Sequence, residues 1–126
     1  MNIHWQESST IGIGAIDAQQ RKMINIINGA FAADSDAKAA EKTLQEIKND
    51  YEVSFDTEEM YMLAFGYPKY SKHRAEHEIL KEKIKAGAFL TGREAQEFLK
   101  AISEELASHI TVADKDLAIF FQARKR

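Results

Sequence analysis

The pentapeptide His73-Arg74-Ala75-Glu76-His77 carries two imidazoles four residues apart. On a helix, side chains at this spacing lie roughly 5–6 Å apart at Cβ, close enough for both rings to reach one metal ion. They also belong to an apolar stripe, Tyr70, His73, His77, Leu80 and Ile84, at positions where a plain bundle helix carries Leu or Ile. Two histidines alone would be an ordinary coincidence. The same irregularity recurs along the chain, because Gln20, Ser54, Glu58, His109 and Asp114 also fall on or beside faces that are otherwise apolar. An ionised carboxylate buried without a partner costs several kcal/mol or is driven neutral, and no Lys or Arg falls on these stripes to pair with one. Glu58, His73, His77, His109 and Asp114 therefore read as one nitrogen- and oxygen-donor metal site, suited to iron, zinc or manganese.

Such a site needs elements that converge on it. Asp17 is an acidic N-cap candidate with Gln20 three residues on, and Met23, Ile24, Ile27 and Phe31 follow at helical spacing, predicting a first helix from about 18 to 33. Asp34-Ser35-Asp36 breaks it and caps a long second helix with the stripe Leu44, Ile47, Tyr51, Ser54, Phe55, Glu58 and Met62. Gly66-Tyr67-Pro68 stops that helix. A third, from about 69 to 85, carries the histidine pair and ends at Gly87. Thr91 and Glu94 form a capping-box pattern for a fourth, with Phe98, Ile102, Leu106, His109, Ile110 and Ala113 as its stripe. Leu117, Ile119, Phe120 and Phe121 predict a short C-terminal helix. Residues 1 to about 15, with Trp5, Ile11, Ile13 and Ile16, read as an extended arm. The predicted fold is all-α, an up-down-up-down four-helix bundle forming one domain over residues 1–126.

Composition limits what the site can be. The 126 residues are 44% hydrophobic and 29% charged, with a single proline and a formal charge of −3 spread along the chain. No basic footprint for nucleic acid emerges, and no apolar run approaches the roughly 20 residues of a membrane span. The absence of cysteine removes thiolate nucleophiles and sulfur ligands. Without a basic-then-apolar leader at the N-terminus, a cytoplasmic monomer is expected. His4 lies outside every stripe, and Glu59 points about 100° away from Glu58 round the helix, toward solvent or the back of a ligand.

Taken in order, Trp5, Ile16-Asp17-x-Gln19, Phe55-x-x-Glu58-Glu59, Gly66-Tyr67-Pro68, His73-x-x-x-His77 and His109-Ile110-x-x-x-Asp114 resemble the motifs of the hemerythrin family, specifically its small bacterial members, over almost the whole chain. The resemblance implies a four-helix bundle with two non-haem irons bridged by a glutamate, an aspartate and an oxygen, and in many members reversible dioxygen binding. By position, Glu58 and Asp114 resemble the bridging carboxylates, and His73, His77 and His109 the three histidines on one iron. The family's other iron takes two further histidines, whose positions here hold Gln20 and Ser54. An amide oxygen and a serine hydroxyl are poor substitutes for imidazole. Both losses fall on the same iron, the one with the open position for dioxygen.

The expectation is a mononuclear three-histidine, two-carboxylate iron protein whose sixth position takes water, hydroxide, peroxide, superoxide or nitric oxide, with Gln20 and Ser54 lining the vacated half. One alternative is a di-iron oxygen-binding, storage or sensing protein whose second site is rebuilt by Gln20, water or Asp56. Another is a structural or sensory metal module acting on a separate protein partner. No nucleophile with a base accompanies the site, so an enzymatic role is left open.

Overall fold

The computed structural model describes residues 13–32 and 36–124. Five helices follow in order: α1 Gly14–Ala32, α2 Ala37–Phe65, α3 Tyr70–Gly87, α4 Gly92–Thr111 and α5 Ala113–Ala123. The first four form the bundle and α5 packs on α4 as a short closing helix, with no strand among the described residues. None of the described helices is long and apolar enough to cross a membrane. Most of the predicted N-terminal arm, with Trp5, Ile11 and His4, lies outside the described residues.

Local chemistry accounts for the boundaries. Asp36 caps α2, its carboxylate accepting from the backbone N–H groups of Lys38 and Ala39 at 3.0 and 3.3 Å. At the far end Gly66 adopts a left-handed conformation, φ 69°, and the Tyr67 N–H returns to the Met62 carbonyl at 2.9 Å. The chain then reverses into α3. Gly87, the last residue of α3, lies under the Phe98 ring of α4, and a methyl group there would fall 2.2–2.4 Å from ring atoms.

One predicted start and one predicted cap need correction. α1 begins at Gly14, a turn before Ala18, so Asp17 sits in the first turn instead of capping it, its N–H bonded to the Ile13 carbonyl. The reason is Ile16: with Gln20, Met23 and Ile27 it completes a helical stripe and is fully buried. The Thr91 capping box does not form, and no side-chain bond comes from Thr91. Gly92 has φ 59°, and its N–H is taken by the Glu41 carboxylate of α2 at 2.9 Å. A neighbouring helix supplies the cap. The α4 stripe is also rotated slightly: Ala95, Leu99, Ile102, Ser103, Leu106 and His109 are buried, whereas Phe98, Ile110 and Ala113 are half-buried.

The apolar interior has two parts. The larger cluster runs from Met23 and Ile27 through Leu44, Ile47, Tyr51 and Phe55 to Leu80, Ile84, Leu99 and Leu106. The smaller gathers Ile16, Met62, Tyr67, Leu117, Ala118 and Phe121. Between these clusters each element places buried polar residues: Gln20 between Ile16 and Met23, Glu58 between Phe55 and Met62, His73 and His77 between Tyr67 and Leu80, and His109 and Asp114 between Leu106 and Leu117. A buried polar layer thus crosses the bundle.

Candidate metal centre

Each polar side chain in this layer is held by a different local device. His73 and His77 sit one turn apart on α3, whose register turns both rings inward, to 3% and 0% exposure. Glu58 faces them from α2. His109 lies near the end of α4, and Asp114 in the first turn of α5. In one unbroken helix, residues 109 and 114 would point about 140° apart. The break at Val112, φ −111° and ψ −68°, turns Asp114 back so that its Oδ1 comes within 3.2 Å of His109 Nε2. Four helices therefore contribute donors.

The five residues offer one donor atom each, and all five atoms lie within 4.8 Å of one another. His73 Nε2 is 3.0 Å from Glu58 Oε1 and 3.1 Å from Asp114 Oδ1. His77 Nε2 is 3.2 Å from the same Glu58 oxygen and 3.1 Å from His109 Nε2. For metal–donor bonds of about 2.1 Å, cis donors stand about 3.0 Å apart and trans donors about 4.2 Å, so these separations suit donors around a single ion.

Two features support that reading on chemical grounds. Asp114 Oδ1 is buried and makes no properly directed hydrogen bond, although two imidazole nitrogens lie within 3.2 Å of it. His77 Nδ1 meets Glu59 Oε2 at 2.8 Å, and His109 Nδ1 faces Glu76 Oε2 at 3.4 Å. The Glu59 bond places the His77 proton on Nδ1, so the His77 Nε2 lone pair faces His109 Nε2 at 3.1 Å. A proton on His109 Nε2, or a cation between the two nitrogens, satisfies that lone pair.

Without metal, protons do so. Burial disfavours a charged His73, but the adjacent Asp114 and Glu58 carboxylates outweigh it and raise the pKa from 6.5 to about 10. His109 is raised too, burial again being outweighed by Asp114. Asp114 moves the other way: burial would raise it, yet the adjacent His109, then His73, hold it far below the usual carboxylate range.

The surroundings fix the donors. The Phe55 ring stacks on His77 at 4.0 Å between centroids, 3° from parallel, and Tyr67 meets His73 edge-on. Arg74 lies 3.7 Å from Glu59. Gln20 donates from Nε2 to Glu58 Oε2 at 3.3 Å, so it belongs to the layer and is more than a local capping partner. Ser54 is buried at 7% exposure on the same face of α2. Asp56, considered above as a substitute ligand, points outward, its side chain 67% exposed and 3.5 Å from Lys81. All seven singled-out residues are thus buried on inner faces.

Glu76 was missed. It lies between the two histidines in sequence, and its side chain is 41% exposed, so no apolar stripe marks it. Only the packing of α3 against the end of α4 brings it to His109. Ser103 was missed as well, a fully buried residue whose hydroxyl has no hydrogen-bond partner.

Known proteins resemble the chain as a whole. The family model described as the hemerythrin HHE cation binding domain matches residues 11–118. A bacteriohemerythrin of Stenotrophomonas maltophilia (strain R551-3) is 30% identical over 120 residues, covering 90% of this chain and 78% of that protein. A bacteriohemerythrin of Clostridium acetobutylicum is 26% identical over 123 residues, covering 89% of this chain and 95% of its own length.

Proposed function

This chain belongs to the hemerythrin HHE family, and on that premise we propose that it is a non-haem iron-binding protein holding one ion between Glu58, His73, His77, His109 and Asp114. Bound there, iron supplies a Lewis-acidic, one-electron redox centre. The two carboxylates neutralise a divalent ion, and the three imidazoles add no charge.

The protein's own groups set the terms. Glu59 holds the Nδ1 proton of His77, which keeps its Nε2 lone pair directed into the cluster, and the Glu76 carboxylate lies behind His109 Nδ1. Phe55 and Tyr67 exclude water from the His77 and His73 rings. Gln20 carries the choice of a single ion. Glu58 directs Oε1 to His73 and His77, while Oε2 accepts the Gln20 amide. The second carboxylate oxygen of Glu58 is thereby satisfied by a neutral donor. Gln20 and Ser54 stand at the positions of the missing histidines, so reversible dioxygen carriage is disfavoured and a small ligand such as water, peroxide, superoxide or nitric oxide is favoured.

Metal analysis of protein purified without added metal tests this. One iron per chain is expected, and two, with the absorption of an oxo-bridged pair, would refute it. The paired change Gln20→His with Ser54→His is expected to raise the capacity to two.

A structural or sensory role for the ion is the second reading, favoured by the position of the layer between the two apolar clusters. Chelation that abolishes binding to a partner protein without any redox change would select it.

A further inference from the structure

The three histidines are not held alike. His77 is fully buried, stacked on Phe55 and bonded to Glu59 at 2.8 Å. His109 is held on its outer nitrogen by Glu76 at 3.4 Å, and that side chain is 41% exposed. His109 also lies two residues before the last residue of α4, where backbone restraint is weakest. Beside it is a cavity of about 270 Å³, lined by Glu76, Ile79, Leu80, Ser108, His109 and Val112 among others. A single water needs about 10–15 Å³ by the same measure, so an imidazole has room to turn into this space.

We infer that His109 is the exchange-controlling ligand and Glu76 the latch that holds it: the ring swings into the α3–α4 cavity to admit or release the ion, and Glu76 sets how often. The inference rests on the single-ion site proposed above. Glu76 is a positioning residue. Its carboxylate lies 3.4 Å from Nδ1 on the ring's outer edge and lines the cavity, so it can meet an incoming cation as the ring moves. Ile79 lines the same cavity from α3, is 56% exposed and touches no donor.

The test is the rate at which the iron-loaded chain gives up its metal to an excess of a coloured ferrous chelator. Glu76→Ala is expected to release about tenfold faster or more, in the range seen when a carboxylate behind a metal-bound histidine is lost. Glu76→Gln, whose amide oxygen still accepts from Nδ1–H, is expected to stay within a few-fold of the native chain. Ile79→Trp, which fills the cavity, is expected to slow release several-fold. A native rate in Glu76→Ala overturns the latch, and an unslowed rate in Ile79→Trp overturns the cavity. In the metal-free chain, nitrogen NMR is expected to show the His109 Nδ1–H exchanging with solvent faster than that of His77, and the reverse order also overturns the inference. A native stoichiometry of two irons would refute the reading above instead, while the latch remains measurable with zinc in the same site.

Discussion

Asp114 and His73 bear most of the site's response to pH. A histidine whose folded pKa is raised contributes stability that is complete below its unfolded pKa, near 6.5, and lost as pH climbs through the folded value, here about 10. A carboxylate whose folded pKa is depressed contributes stability above its unfolded value, near 3.8, lost as pH falls. The metal-free chain is therefore expected to weaken steadily from about pH 7 to 10 in urea titrations, and the metal-loaded chain to show no such decline. Metal needs unprotonated imidazole, so uptake near neutral pH is expected to release protons, seen as a buffer-dependent heat in calorimetry. The donors were legible in the sequence because a polar residue on an apolar stripe stands out. Glu76 was not, since it sits on an exposed position and acquires its partner only when α3 meets α4; Glu59 was legible only as a residue pointing away from the stripe.

At the level of elements, the helices were readable from their periodicity, and the errors lay at their ends. Thr91 and Glu94 have the letters of a capping box, yet the bond goes to Glu41, fifty-one residues away, because Gly92 turns its N–H toward α2. No local pattern encodes that. Thr91→Ala is accordingly expected to cost less than about 0.5 kcal/mol, and Glu41→Ala about 1 kcal/mol, measured by urea denaturation. Gly66 is the opposite case, a stop signal that reads correctly. Its left-handed φ of 69° predicts a cost of about 1–2 kcal/mol for Gly66→Ala, although a methyl group there would meet no neighbour. The break at Val112 was visible only as a loosening of pattern, whereas its effect, turning Asp114 toward His109, depends on backbone angles that single residues do not announce.

Across the molecule, the polar layer joins α5 to the bundle through Asp114 and divides one apolar cluster from the other. Chelation is expected to lower the melting temperature and to speed amide exchange in α5 more than in α2, with Leu117 and Ala118 the informative positions. The larger cluster, from Met23 to Leu106, closes without help from any proposed ligand. Such an arrangement separates what selection must keep for folding from what it must keep for metal chemistry. Replacements in the layer can accumulate while the bundle persists. On the single-ion reading proposed above, Gln20 and Ser54 are where that freedom is used, with the scaffold intact.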